Sequence, residues 1–417
     1  MRAQQRQTPA RQMTTRPELA PAPAPAPRAE PIGRPDLARC RLAAAVIAEA
    51  SSSIEQEARL PAPVLAAMHD AELFRLSLPG WLGGAELPLA ELADITELIS
   101  SADASAGWCL GQALGCATAA AYLEPRVAEQ VFGPGNAVLA WGAGAVGTAV
   151  AADGGYRVSG TWRFASGSDH ATWLGGHCTV KDKDGTPRTD AAGRPVTRTA
   201  LFPRSAAEIH DDWHVVGLRG TRSEGYTVND LMVEDAFTLN RDSATDRRSD
   251  ATLFRFPVVH VYASVFAGVA VGNASAALDR LVELAQTKTA RGAPTAMRDS
   301  PVVHSRLAEL EARLGAARAF RAQVLDDVWR RVEASGQVTP AERAPLRLAT
   351  THAIHEATRV AEQAYRMAGA TAVFTSQPFE QRLRDAYAVS QQVQGRHENY
   401  ELVGRHLLGL PVDSMFF

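Results

Sequence analysis

The hydrophobic period of this chain changes twice, and that change limits the fold more than any other feature. From about residue 36 to 132 apolar residues recur at helical spacing: 36–59, 62–72 after Pro61, and ELPLAELADITELISS at 86–101. Asp103 or Ser105 can cap the uncharged helix that follows. From about 136 to 241 the period is two. AVLAW, GTAVAA, YRVSGTWRFAS, ATWLGGHCTV, RTALFP and YTVNDLMV read as short strands, with turns at DGG (153–155) and KDKDG (181–185). Helices return at 256–289, from Ser300-Pro301 to about 335, from Thr339-Pro340 with Glu342 completing a capping box, and at about 378–409. The pattern predicts a mainly α protein with an inserted antiparallel β domain. Its expected parts are a Pro/Ala-rich disordered arm at 1–33, a helical domain at 34–134, a β domain at 135–242 and a four-helix bundle at 243–417.

Two stretches without charge, 104–123 and 257–278, are long enough to suggest membrane spans. They are rich in Gly, Ala, Ser and Thr rather than Leu, Ile and Phe, so buried helices are expected, and the second is expected to assemble subunits. The net charge of −3 gives no electrostatic case for nucleic acid or an anionic membrane. Cys40, Cys109, Cys116 and Cys178 are scattered and form no CxxC, which argues against a metal site and for reduced thiols in a cytoplasm. GAGAVG (142–147) matches the GxGxxG of dinucleotide-binding folds. No helix has room to follow it before Asp153-Gly154-Gly155, so it is read as an inter-strand bend.

The segment GTWRFASGSDHATW (160–173) carries the functional signal. At period two, Trp162, Phe164 and Ser166 share one strand face, with a small polar Gly-Ser-Asp-His turn beyond. Trp162 and Phe164 could equally be core of the β domain, and Ser166, Ser168, Asp169 and His170 simple turn residues.

YRVSGTWRFASGSDHATW, DDWHVVGLRGTRSEGYTVNDLMV (211–233) and FEQRLRDAY (379–387) resemble the acyl-CoA dehydrogenase superfamily. FASGSDHA, GLRGTRS, LPGWLGGAEL (78–87) and DASAGW (103–108) are similar to its two-component flavin monooxygenase branch, so the likeness covers about residues 40–410. The resemblance implies reduced FMN or FAD delivered by a separate reductase, O2 and a small-molecule substrate as partners, and a homotetramer. It would place Trp141, Trp162, Phe164, Ala165, Ser166 and Arg219 at the flavin, with Ser166 near N5. Arg291 and Gly369 would contact the cofactor across a subunit boundary, and Trp108 and Gln112 would form the opposite pocket wall.

A dehydrogenase of this family needs a carboxylate base beside flavin N5. After Arg384-Asp385 the chain reads AYAVSQQVQGRH, with no carboxylate before Glu398, which disfavours that chemistry. An oxygenase must instead protect a C4a-hydroperoxyflavin from water, and a serine in an aromatic pocket suits that task. Relatives that hydroxylate phenols often carry a histidine where this chain has Gln392, a residue that orients but takes no proton; His397 lies more than a turn further on. The expected activity is hydroxylation of an amine nitrogen or an activated aromatic ring, in specialised metabolism or catabolism. A flavin dehydrogenase or oxidase and a flavin-free binding protein of the same fold are the alternatives.

Overall fold

The computed structural model of the chain describes residues 36–241, 243, 245–412, 414 and 417. The arm expected at 1–33 lies outside the described residues. Five helices come first: α1 (Leu37–Glu57), α2 (Ala62–Asp70), α3 (Leu89–Ala102), α4 (Ala104–Ala117) and α5 (Pro125–Phe132). Asp103 caps α4, its carboxylate accepting from the Ser105 and Ala106 amides. Eight strands follow: β1 (Leu139–Trp141), β2 (Gly147–Ala152), β3 (Gly155–Trp162), β4 (Trp173–Lys181), β5 (Thr197–Pro203), β6 (Glu208–Ile209), β7 (Tyr226–Glu234) and β8 (Thr238–Leu239).

These strands form one sheet in the order β6-β7-β3-β2-β4-β5-β8, with β1 also beside β4. Most pairs are antiparallel, but β1 and β2 each run parallel to β4. GAGAVG is the bend that makes this possible: β1 ends at Trp141, Gly144 turns at φ 81°, and β2 begins at Gly147 with no helix between.

The C-terminal helices are α6 (Val258–Thr287), α7 (Pro301–Ser335), α8 (Pro340–Ala368), α9 (Phe379–Ser390) and α10 (Glu398–Leu407). The capping box of Thr339 and Glu342 opens α8. The single last helix expected at 378–409 is two helices. The chain leaves α9 after Ser390, and Gln392 folds back to accept the Gln394 amide at 2.8 Å, so 391–397 is a loop.

The uncharged run of α6 also differs from its expected role. It is buried within this chain, against α3, so its apolar character needs no second subunit. The two backbones touch: a Cβ on Gly268 would sit 2.2 Å from the Ala93 carbonyl, and one on Gly272 2.2 Å from that of Glu97. Thr96 and Ser100 donate to the Val265 and Val269 carbonyls across this contact, at 3.0 and 2.7 Å.

Candidate active site

The β3 end is where the period of two breaks. Trp162 is the last strand residue, paired with Tyr226, and is fully buried inside the sheet. Its indole stacks on Tyr226 at 5.4 Å and donates to the His177 carbonyl at 3.0 Å. Cβ atoms on Gly147, Gly160 or Gly176 would each strike that indole within 2.3–2.7 Å, so three glycines shape its slot. Trp162 therefore offers no face to a cofactor, contrary to the sequence expectation.

Two residues later the chain turns sharply. Phe164 sits at φ 61°, a left-handed conformation costly for a bulky side chain, and its ring is 64% exposed. It meets Trp213 edge to face at 6.0 Å, and Val216 is exposed on the same 211–224 loop. Ala165 and Ser166 are buried directly after this exposed aromatic corner.

The Ser166 hydroxyl belongs to a chain of hydrogen bonds whose polarity can be derived. Trp108 Nε1 lies 2.9 Å from Ser166 Oγ, Ser166 Oγ lies 2.7 Å from Ser223 Oγ, and Ser223 Oγ lies 2.7 Å from Thr221 Oγ1. Thr221 donates to the Leu218 carbonyl at 2.8 Å. An indole N–H only donates and a carbonyl only accepts, so the hydroxyl hydrogens run from Ser166 to Ser223 to Thr221 to Leu218. Ser166 keeps one lone pair uncommitted. That lone pair suits an N–H donor, and N5 of a reduced flavin is one. An exposed aromatic corner beside a buried acceptor thus fits a reduced isoalloxazine.

The Gly-Ser-Asp-His turn holds this corner in place. Ser168 donates to the Arg222 carbonyl at 3.1 Å, and Asp169 pairs with Arg59 at 3.3 Å, tying the sheet to the end of α1. His170 packs near Phe74, and burial pulls its pKa down to about 4, so it is neutral there.

Trp108 also begins an aromatic column. It stacks on Phe266 at 4.1 Å, and Phe266 stacks on Tyr262 at 5.7 Å. The Tyr262 hydroxyl accepts from Gln112 at 3.3 Å and from Trp141 Nε1 at 3.2 Å. Its own hydrogen then faces Cys116 Sγ at 3.6 Å. Burial pushes the Tyr262 phenol well above its ordinary range, so it stays protonated. Trp141 is buried between Tyr262, His177 and the Arg241 guanidinium, which lies 4.4 Å from its ring centre. Trp108, Gln112 and Trp141 are thus brought into one wall.

The remaining expected residues are dispersed. Arg219 pairs with Glu55 of α1 at 3.4 Å, a carboxylate shared with Arg384 of α9. Arg291 is exposed after α6, and Gly369 (φ 57°) closes α8. Lys288 joins those two regions through the Ala368 carbonyl and Thr371. Gln392 is partly buried in the α9–α10 loop, its side-chain N–H groups without an acceptor among the described residues. His397, exposed, stacks on His355 at 6.1 Å beside a cavity of about 410 Å³. No hydrogen bond among the described residues joins Gln392 or His397 to Ser166.

Residues 264–395 match the acyl-CoA dehydrogenase C-terminal domain. The chain is 31% identical over 338 residues to an indole-3-acetate monooxygenase of Pseudomonas putida, covering 81% of this chain and 84% of that one. It is 30% identical over 380 residues to the oxygenase component of an FADH2-dependent resorcinol hydroxylase from Rhizobium sp. (strain MTP-10005), covering 85% and 90%. The chain belongs to the flavin-dependent monooxygenases of the acyl-CoA dehydrogenase superfamily. The solved structure of XiaF from Streptomyces sp., in complex with FADH2 and glycerol, superposes on this monooxygenase with a TM-score of 0.82. That match has 25% identity and covers 91% of this chain and 96% of the other. The protein is a reduced-flavin-dependent oxygenase component with a separate reductase as its partner.

The sequence reading passed over Tyr262, Phe266, Thr221 and Ser223. The last two lie in the GLRGTRSEG motif, just after Arg219. Tyr262 and Phe266 were hidden in the uncharged run, read only as buried helix.

Proposed function

We propose that this oxygenase hydroxylates a small, electron-rich aromatic substrate, with an amine nitrogen as the other nucleophile its site could serve. Bound reduced flavin supplies the activated oxygen. The protein's task is to hold the flavin N5 proton, exclude water and orient the ring. The carrying observation is the Ser166 lone pair left open at the foot of the Phe164 corner. The Trp108–Phe266–Tyr262 column supplies an apolar wall for a flat substrate with Gln112 beside it, and the family likeness suggests Gln392 as a second orienting group. Neither can remove a phenolic proton, which favours a substrate already nucleophilic. The names of the relatives, an indole-3-acetate monooxygenase and a resorcinol hydroxylase, support an activated ring.

We further propose a cytoplasmic homotetramer. The exposed Val302, Val373, Phe374, Leu407 and Leu408 of the C-terminal helices support it, as does a groove of about 950 Å³ between α7 and α8. Sedimentation of the full chain tests the assembly: a tetramer is expected, and a monomer that binds reduced flavin tightly would overturn it. The activity is tested by stopped-flow mixing with reduced FMN or FAD, labelled O2 and a panel of indoles, anilines and phenols. Label is expected in an indole or aniline product. Flavin oxidation to H2O2 alone, with every substrate, would refute the reading.

A further inference from the structure

One residue ties the two aromatics of the exposed corner together. Glu224 follows Ser223 and is buried. Its carboxylate reaches across to the segment before the GLRG turn. There Oε2 accepts from two successive amides, Asp212 at 2.8 Å and Trp213 at 3.0 Å. Oε1 faces Arg222 Nε at 3.3 Å. The backbone carbonyl of the same residue accepts from the Ala165 amide at 3.3 Å, directly after Phe164. Glu224 thus holds Trp213 with its side chain and the Phe164–Ala165 corner with its main chain. Gly225 repeats the tie, its amide donating to Asp212 Oδ1 and its carbonyl accepting from the His210 amide, both at 2.8 Å.

A buried carboxylate is costly unless its oxygens are paired, and here each pairing pins a neighbouring segment. Residues 210–215 belong to no helix or strand, so no ladder of their own places Trp213. Hydrogen bonds to an ionised acceptor are roughly twice as strong as neutral ones, and two of them converge on this loop. The result is visible in the rings. Trp213 stands at 88° to Phe164, so the pair form two walls of a right-angled corner rather than a flat patch. Trp213 Nε1 also donates to the Leu218 carbonyl at 3.3 Å, the oxygen on which the hydroxyl chain from Ser166 ends. Arg222, between Glu224, Asp169 and Asp211, is itself left-handed at φ 40°, a conformation that persists only where its surroundings hold it.

We propose that Glu224 is a positioning residue for the reduced flavin: by reach rather than by charge, it fixes Trp213 against Phe164 and so sets the corner in front of Ser166, a role that rests on the flavin meeting that corner. The test titrates reduced FMN and FAD anaerobically into the full-length protein and its variants. Glu224→Asp keeps the charge beside Arg222 but withdraws the oxygens by one methylene, and should bind reduced flavin about ten-fold more weakly. Glu224→Gln keeps the reach and loses the charge, and should stay within about two-fold of wild type. In a Trp213→Ala background, Glu224→Asp should add nothing, because it acts through that ring. Hydrogen exchange in the flavin-free protein gives a readout apart from binding and turnover. The Asp212 and Trp213 amides should be protected in the wild type, although their segment lies in no helix or strand, and should exchange faster in Glu224→Asp. Unprotected amides in the wild type would overturn the clamp without recourse to any variant. Wild-type affinity in Glu224→Asp, with affinity lost in Phe164→Ala, would leave the flavin corner standing and refute the role of Glu224. Loss in Glu224→Gln but not in Glu224→Asp would assign the effect to charge and refute it equally. Wild-type affinity in Phe164→Ala would overturn the corner reading, and the role of Glu224 with it.

Discussion

Trp162 and Phe164 are two positions apart on one strand end, yet they live in different environments. The first fills a slot cut by three glycines inside the sheet; the second stands 64% exposed at its rim. Strict alternation would put both on the same face. A single left-handed residue, Phe164 at φ 61°, separates them. The interior aromatic maintains the sheet, and the rim aromatic is free to meet a ligand. Bulk and hydrophobicity alike, the two residues differ only in what the backbone does between them.

The largest expected effect tests that division directly. Trp162→Ala should cost about 3–5 kcal/mol of stability, since the glycine-lined slot cannot collapse around the lost indole. Phe164→Ala should cost under ~1 kcal/mol, because the ring is already largely in water, while weakening reduced-flavin binding. Denaturant unfolding and flavin titration of both variants check this. Equal loss of stability would erase the distinction between interior and rim.

The next effect sharpens the rim's role. Ser166→Ala removes the open lone pair, and the share of reduced flavin ending as H2O2 should rise, with product formation falling about ten-fold, the worth of one good hydrogen bond. Ser223→Ala keeps the Ser166 oxygen but frees its hydrogen, so it should lose less. Peroxide and product are counted per flavin oxidised. Wild-type coupling in Ser166→Ala would remove Ser166 from the reaction.

The order of helices, sheet and helices was legible because periods of two and 3.6 are physically distinct, and the capping box at Thr339 marks a helix start without ambiguity. The break after Ser390 was not. No proline interrupts the run after Pro378, and the turn is held by tertiary bonds: Asn399 donates to the Val393 and Gln394 carbonyls, Thr351 to the Gln394 carbonyl, and Gln392 accepts the Gln394 amide. Ser166 could be singled out from its place after two aromatics. The directional chain behind it could not, because Trp108, Ser223 and Thr221 converge from separate segments. Similarly, the α6 run showed that it was buried but not by what; the close contact at Gly268 and Gly272 is a tertiary fact.

A smaller effect concerns what holds the rim from behind. Asp385 of α9 accepts from the Leu218 amide at 2.6 Å, at the start of the turn that carries Thr221 and Ser223. Burial, with Asp103 nearby, pushes its pKa up to about 7. A raised carboxyl pKa means that the folded state holds a proton the unfolded state has released. Its stabilising contribution is full below the unfolded value of 3.8 and is lost as pH rises through about 7. Asp385→Asn keeps an acceptor for Leu218 and should flatten the stability profile between those values. Asp103, whose pKa is also raised by burial, retains a weaker slope. Identical slopes in Tm against pH for the two proteins would show that Asp385 does not bind the proton.

The smallest effect lies in the loop after α9, where Gln392 has amide hydrogens without an acceptor among the described residues. We propose, from the family likeness, that this position faces the substrate where phenol hydroxylases often carry a histidine. If the native substrate is an activated ring or an amine, Gln392→His gains nothing on it, because no proton must leave before oxygen transfer. On simple phenols a neutral imidazole can accept the phenolic proton near pH 7. General bases contribute ~10²–10⁴-fold where geometry is right, so even a poorly placed imidazole should lift phenol turnover above a low background. The backbone contact complicates the substitution in a useful way. Gln392 Oε1 holds the Gln394 amide, and Gln394 in turn holds Arg347, so Gln392→Ala should loosen the loop without supplying a base. Product analysis over indoles, anilines and phenols separates the cases. Phenol activity in His but not in Ala assigns the gain to the base. Efficient wild-type hydroxylation of an unactivated phenol, unchanged in Gln392→Ala, would show that the proton leaves by another route, and His397 in its stack with His355 becomes the residue to replace.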